Sequence, residues 1–452
     1  MLNCLNRYVD AFASLPEGIE WAEANADCRE DVTLSIRGGK AAECQSAAKT
    51  AIYLRVSDGQ REGTVYTENL EDDPQALLLS ALKNARLCGQ GGSSPIHRGG
   101  TEHRGESLRA DVQTMLETGA SLEREVLQNQ GVHVLELTVR GSSAERQVVN
   151  SRGLNRSHAH SYYFLTLTVE LDRPASPYPR AQVKASARQL DDIDLAALAA
   201  RAVSKAALSD GGGLLPRVTL PSGSYDCVLS AAVTCNILAT AWQEFSGAAM
   251  TAGAAIYRPE QGAVIGSAAL NMTDSPHVPG WGYNLALDSE GTINTSKAIV
   301  RQGRLVSPLH TLTSSDGAAG GNAGRAALLT GVTPVSIITI PSIFYIEPGD
   351  QPPEALISAM GSGVHLTYSL DVFHSINITS GEYSIPCGGI IYRNGCPIGI
   401  TSQMTMAGNL RDLFGGILAA GNDLTLDEFQ YKNYCYGGPS LLIHGLTLSC
   451  MD

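Results

Sequence analysis

The chain is poor in aromatic residues, at 6%, and poor in charge, at 17%. Its cores must therefore be built from aliphatic side chains and close backbone approach. With 43% hydrophobic residues and 47 glycines, the composition fits a strand-rich α+β protein with many turns rather than a disordered one. A basic surplus is also lacking. Thirty-two Lys and Arg against 45 Asp and Glu leave a formal charge of −13, with no basic cluster, so direct contact with nucleic acid or an anionic membrane is not expected. No segment approaches the ~18 uninterrupted apolar residues of a membrane span. Residues Met1 to Arg7 carry neither a basic n-region nor a following apolar run, which leaves a cytoplasmic protein as the expectation. Ten cysteines are scattered without a CxxC pair and read as free thiols of a reducing compartment.

Familiar catalytic patterns are missing too. There is no GxSxG elbow, no Walker A sequence and no GxGxxG. Gly317 to Arg325 is glycine-rich but has no lysine for a phosphate, and reads as a turn beside a close backbone contact. A helical zinc site needs two histidines on one face with a glutamate between them, and none of the ten histidines offers that. His158 and His160 share a strand face without a third ligand, His365 and His374 flank an apolar strand, and Cys235 sits on a buried helix face.

What is present is organisation. At 452 residues the chain exceeds one ordinary core. A break at Gly211-Gly212-Gly213, followed by Pro216 and Pro221, divides it into an amino-terminal α+β domain, 1–215, and a carboxy-terminal β-rich domain, 216–452, with two helices. The first domain reads as an internal duplication. Leu34-Ser35-Ile36-Arg37-Gly38 echoes Leu137-Thr138-Val139-Arg140-Gly141, each taken as a half-buried strand entering a hairpin. Acidic caps at Leu70 to Pro74 and Leu190 to Asp194 each open a helix, with extra length around Arg173 to Arg180 in the second copy. Gly89 to Gly105 between the copies has the composition of a flexible surface loop.

In the second domain, Val228, Ala231, Ala232, Cys235, Leu238, Ala239 and Trp242 fall on one helical face. The remainder of the domain is largely extended, and Asn394-Gly395 marks a hairpin, so a mainly antiparallel sheet or open barrel is expected. Near the end, Asn409 can cap a helix whose buried stripe is Leu410, Leu413, Phe414 and Ile417, with Gly421 as its left-handed stop.

These landmarks carry a resemblance. Gly321-Asn322-Ala323-Gly324-Arg325, Ile346-Glu347-Pro348-Gly349-Asp350, His374, Asn377, Ser380-Gly381-Glu382-Tyr383-Ser384, Ala407-Gly408-Asn409-Leu410 and Gly421-Asn422-Asp423 resemble the PmbA/TldE branch of the TldD/PmbA family. Gly63 to Leu70 and the helix after it are similar to that family as well. The family has also been labelled "modulator of DNA gyrase". The resemblance implies a soluble two-domain α+β protein that dimerises and takes part in proteolysis. The TldD branch carries a zinc motif of the HExxxH type, with a further histidine and a cysteine. The corresponding helix here, Ala231 to Ala241, has neither histidine nor glutamate, and Cys435 would have no metal to complete. A frequent Asp-Asp-Glu-Gly turn is replaced by Asp288-Ser289-Glu290-Gly291.

The reading is a metal-free subunit of a TldD/TldE-type peptidase complex, with zinc only in a TldD-like partner and a peptide or unfolded protein as substrate. No catalytic residue is assigned; Asn322, Arg325, His374, Asn377, Glu382, Asn409, Asn422 and Asp423 are groove or scaffold candidates. Two other readings stay open: a stand-alone homodimeric peptide-binding scaffold, and an independent hydrolase pairing His374 with Glu382 or Asp423.

Overall fold

A computed structural model describes residues 4–88, 90–172, 179–209, 215–325, 336–429 and 434–450. The amino-terminal half contains helices α1 (Asn6–Phe12), α2 (Pro74–Cys88), α3 (Val112–Leu127) and α4 (Leu195–Ser209). Its strands are β1 (Trp21–Arg37), β2 (Lys40–Ser57), β3 (Arg61–Thr67), β4 (Gln90–Gly91), β5 (Thr101–Arg104), β6 (Val132–Asn150), β7 (Asn155–Leu171) and β8 (Arg180–Ala187). They form one eight-stranded sheet in the order β4-β3-β2-β1-β6-β7, with β8 antiparallel and β5 parallel on the outer edge of β7.

Strand alternation decides what each face meets. Ala22, Ala24 and Ala26 of β1, with Ile52, Leu54 and Val56 of β2, pack under α1 and α2. Leu34, Val139, Leu165 and Leu167 pack under α3 and α4. The intervening residues, Glu23, Asn25 and Asp27 among them, point to the opposite face, where Asn25 reaches Ser289 and Phe164 meets Trp281 of the carboxy-terminal half.

The duplication holds in strand order. Each half runs helix, long hairpin, short strand, helix, and the copies meet at β1 and β6 in the middle of the sheet. The acidic caps are as expected: Asp73 accepts from the amides of Gln75 and Ala76 at 3.3 and 3.2 Å, and Asp194 from that of Ala197 at 2.9 Å. The five-residue echo marks a shared face, not an equivalent place. Gly38 closes the β1–β2 hairpin with φ +59°, whereas Gly141 lies mid-strand opposite Val32, where a Cβ would approach the Ala110 methyl to 2.4 Å. Residues 173–178 of the longer second copy and the triple glycine at 211–213 lie outside the described residues. Of the Gly89 to Gly105 stretch, residues 92–105 are stitched down rather than loose: Ser93 accepts from the Trp21 indole at 2.9 Å, the His97 carbonyl from Asn150 at 2.9 Å, and Ile96 is buried.

The carboxy-terminal half contains α5 (Ala231–Ala241), α6 (Gly247–Ala252), α7 (Pro353–Met360), α8 (Val372–Ser375) and α9 (Leu410–Gly415), five helices among the described residues where two were expected. Its strands are β9 (Gly223–Leu229), β10 (Met272–Ser275), β11 (Lys297–Arg301), β12 (Arg304–Leu305), β13 (Ala323–Gly324), β14 (Ile338–Thr339), β15 (Ile343–Ile346), β16 (Gly363–Ser369), β17 (Glu382–Arg393), β18 (Cys396–Asn409), β19 (Ile417–Ala420), β20 (Thr425–Phe429), β21 (Tyr434–Gly438) and β22 (Leu441–Cys450). One sheet runs β12-β11-β10-β15-β21-β20. Another runs β18-β17-β16-β9-β22-β19, mainly antiparallel as expected, and its β18 also pairs with β22, closing a five-stranded ring.

Val228 belongs to β9, not to a helix; Ser230 caps α5, which is buried all round because sheets lie on both sides of it. The Asn394-Gly395 turn is as expected, with φ +51° and +75°. Asn409 does cap α9, accepting from the Arg411 amide at 3.0 Å over buried Leu410, Leu413 and Phe414. The helix stops at Gly415, two residues short of the end of its stripe, because Ile417 starts β19; Gly421 therefore follows a strand and is not left-handed.

Gly63 of β3 touches the α2 backbone, where a Cβ would meet the Ala81 carbonyl oxygen at 2.1 Å and the Ala85 nitrogen at 2.3 Å. Gly63→Ala is expected to cost about 1–3 kcal/mol in urea unfolding. Gly415→Ala, where a Cβ meets nothing within 4 Å, is expected to be neutral or slightly stabilising.

Candidate functional site

Helix α5 occupies the place where the resemblance puts zinc ligands, and its side chains are committed elsewhere. The Cys235 thiol donates to the Thr425 carbonyl at 3.0 Å and is pushed up to about 12 by burial. Asn236 donates to the Ser369 hydroxyl at 3.0 Å. Tyr434 donates to the Ala239 carbonyl at 3.2 Å and meets the Trp242 ring edge-on at 5.4 Å. Strand alternation sends Cys435 to the other face of its sheet. There it accepts from the Trp281 indole at 3.5 Å, and burial raises its thiol well above the ordinary range. Among the described residues no three of His, Cys, Asp or Glu are grouped to hold a metal. The residues present at α5 therefore do not fit zinc.

Three of the candidate positions come together beside α9. Asn377 accepts from the amides of Thr379 and Ser380 at 3.0 and 3.3 Å, and its own amide donates to the Glu382 carbonyl at 2.8 Å. Asn409 donates to the Ser380 carbonyl at 2.8 Å, while the Leu410 amide donates to that of Gly381 at 2.8 Å. The Glu382 carboxylate is exposed and accepts from the Ser380 hydroxyl at 3.3 Å. This is a knot of turn and cap bonds, and it packs behind Ile256, a lining residue of a cavity that the sequence reading missed. Gly381 lies against Ile256, which with Tyr257, Arg258, Glu260, Val264 and Arg411 lines a cavity of about 280 Å³. Arg411 stacks on Tyr257 at 5.3 Å and donates to the Ile256 carbonyl. Beneath, the wholly buried Glu244 accepts from the Ile256 amide at 2.7 Å, and burial pushes its carboxyl up to about 7. A lone acid inside the apolar run from Ala231 to Phe245 was the available signal.

His374 does not face Glu382 or Asp423; its Nδ1 pairs with Asp371 at 2.5 Å on a side chain 83% exposed. The Asp423 carboxylate takes the Ser440 amide and hydroxyl at 2.8 and 2.7 Å, and the amide of exposed Asn422 donates to Gln351 at 2.8 Å. The hydrolase pairing is thus not assembled.

Asn322 and Arg325 lie in a buried polar joint between the halves. Asp288, 1% exposed, accepts from the amides of Glu290 and Thr292 at 2.9 and 2.8 Å and from those of Gly321 and Ala323 at 3.0 and 3.1 Å. The glycine-rich stretch does cradle an oxyanion with its amides, and that oxyanion is the protein's own carboxylate. Asn322 donates to Asp274 at 2.7 Å and accepts from Lys297. Arg55 pairs with Glu23 at 2.9 Å, and with Glu62 and Glu290 at 3.6 and 3.7 Å. Arg325 stacks on Tyr53 at 4.6 Å; burial and then the Arg55 charge lower it to about 10. His158 and His160 stack at 5.2 Å on the same sheet face, both lowered by burial.

Burial pushes the Glu290 carboxyl from 4.5 up to about 8. Between those values the folded chain holds a proton that the unfolded chain has released, so stability falls as pH rises, by up to about 1.4 kcal/mol per pH unit. Glu290→Gln is expected to flatten the decline in urea-measured stability between pH 5 and 8 while leaving stability at pH 5 nearly unchanged. An unaltered slope would place the titration on another group.

No curated protein matches this chain. Solved structures share its fold along nearly the whole length. A candidate modulator of a DNA gyrase from Thermotoga maritima is 20% identical with a TM-score of 0.76, covering 99% of this chain and 98% of that one. A candidate modulator of DNA gyrase from Bacteroides thetaiotaomicron is 18% identical at 0.76, with the same coverage. TldE from Thermococcus kodakarensis is 17% identical at 0.77, covering 99% of this chain and all of that one. The PmbA/TldA metallopeptidase C-terminal domain family matches residues 222–450, from the first strand of the ring to its last. With that match spanning half of the sequence and the fold shared throughout, the chain belongs to the PmbA/TldD family.

Proposed function

We propose that this chain is a metal-free, cytoplasmic subunit of a TldD/TldE-type metallopeptidase complex, shaping the space in which a zinc-bearing partner cleaves a peptide or unfolded protein. Helix α5 carries the reading. It lies where the TldD branch is expected to hold zinc, yet presents Cys235, Asn236 and Thr240 in an apolar setting and no imidazole or carboxylate. Beside it, β20 is, among the described residues, the last strand of its sheet, with Phe429 against Phe373 of α8 at 5.4 Å. An extended peptide presented to a partner's metal could add to such an edge, with main-chain hydrogen bonds providing affinity. The gyrase wording attached to two of the solved structures has no counterpart in the charge of this chain, since −13 opposes DNA.

Co-expression with a zinc-bearing homologue tests the reading. The two chains are expected to co-elute, zinc to follow the partner alone, and peptide cleavage by the pair to exceed that of either chain by at least tenfold. Stoichiometric zinc on this chain by itself, or a pair that neither associates nor gains activity, would overturn it.

A further inference from the structure

Between α6 and β10 the chain makes a loop, residues 253–265, that is tied down at several points. The Gly262 amide donates to the Leu305 carbonyl at 2.7 Å, the Leu305 amide to that of Ala263 at 2.9 Å, and the Ile265 amide to that of Gly303 at 2.8 Å. The Tyr257 hydroxyl crosses the loop to the Ile265 carbonyl at 3.0 Å, and Glu244 takes the Ile256 amide from below at 2.7 Å. The cavity of about 280 Å³ that this loop forms with Arg411 is therefore built into the fold. It stands at the small end of ligand-enclosing sites, which run from ~300 to ~1,000 Å³, and it has their make-up. Ile256, Tyr257, Ala263, Val264 and Ile265 give it an apolar and aromatic wall, and three charged side chains complete it. Val264 is 67% exposed, an apolar side chain left facing water.

Arg411 is the fixed charge. Its guanidinium stacks on Tyr257 at 5.3 Å and commits one N–H to the Ile256 carbonyl, so its position is set before anything binds while its other donors stay available. Among the described residues no carboxylate forms an ion pair with it. The Glu244 carboxyl behind Ile256, pushed up to about 7 by burial, is only partly ionised near neutrality and does not cancel that charge. Arg258 and Glu260 are exposed, and neither side chain has a partner among the described residues. We infer that this cavity binds a carboxylate carrying an apolar group, with the carboxylate on Arg411 and Arg258 and the apolar group on Tyr257 and Val264. Guanidinium groups take carboxylate and phosphate alike, in a two-pronged fork. Here two cations against the one acid of the lining leave a single surplus positive charge, which matches a carboxylate, whereas a phosphate dianion would set its second charge against Glu260. The volume admits one residue-sized group rather than a length of strand. The C-terminal residue of a peptide and a free apolar amino acid share that chemistry. The inference needs neither a partner subunit nor a metal, so it stands apart from the peptidase reading.

Ligand-observed NMR titration of the full-length chain tests it. N-acetyl-leucine is expected to bind with a Kd on the order of 1 mM, and N-acetyl-leucine amide and inorganic phosphate roughly tenfold or more weakly. Arg411→Gln is expected to weaken N-acetyl-leucine by about tenfold, and Arg411→Lys nearly as much, since an ammonium lacks the fork. Arg411 also holds the Ile256 carbonyl, so two exposed positions that leave the loop's hydrogen bonds intact give the independent readout. Glu260→Gln is expected to tighten N-acetyl-leucine about threefold, and Val264→Glu to weaken it about fivefold, as like charge is removed or added. Acetyl-alanyl-leucine binding more tightly than leucine supports a peptide terminus as the source; the reverse supports a free amino acid whose ammonium meets Glu260. No binding of N-acetyl-leucine, equal binding of the acid and its amide, phosphate as tight as the acid, or affinities unmoved by Glu260→Gln and Val264→Glu would each overturn the inference.

Discussion

The architecture depends on burying charge at the joint between its halves. Glu23, Asn25 and Arg55 of the amino-terminal sheet meet Asp288, Glu290 and Asn322 of the carboxy-terminal half, and each is no more than 4% exposed. Such groups cannot be left unpaired without a cost of several kcal/mol, so the two halves have few permitted relative placements. A greasy interface tolerates sliding, because dispersion contacts are non-directional. Directional hydrogen bonds across the joint, from Asn25 to the Ser289 carbonyl at 3.2 Å, Arg146 to that of Leu287 at 3.1 Å and Arg156 to that of Gly291 at 2.7 Å, do not.

The same joint aims the rest of the molecule. The strand carrying Asp274 is the centre of the sheet that backs α5, and Ser342, whose amide donates to Asp274 at 2.8 Å, leads into the strand beside β21. Arg140 and Lys184 of the amino-terminal sheet reach Glu428 and Asp427 on β20. The edge strand next to α5 is thereby anchored to both halves. The orientation of that edge is inherited from ion pairs.

Much of the fold was legible because it is written in period. The duplicated strands, both acidic caps, the Asn394-Gly395 turn and the Asn409 cap are local signals, and local physics decided them. Mistakes came where tertiary pairing overrode pattern. Val228 and Ile417 carry helical spacing but were taken into strands beside β22, and Gly141 resembles a hairpin glycine but makes room for Ala110. The site candidates show a similar divide. Asn377 and Asn409 share a knot that sequence order could suggest, whereas the burial of Asn322 and Arg325 against Asp274 and Tyr53 depends on contacts from distant parts of the chain. Neither periodicity nor composition reports which carboxylate will enter a glycine-rich cradle.

The ring of the carboxy-terminal half has a consequence for synthesis. Its first strand, β9, lies between β16 and β22, and the last few described residues, Thr447 to Cys450, pair with β18. The ring therefore cannot close until residues 447–450 have been made, although its opening strand was made more than two hundred residues earlier. Meanwhile the amino-terminal sheet, complete with its helices, waits with one face uncovered. That face carries Glu23, Asp27, Arg55 and Arg146, a hydrated surface while exposed. The charges that later fix the two halves in place also protect the unfinished protein from sticking to its neighbours.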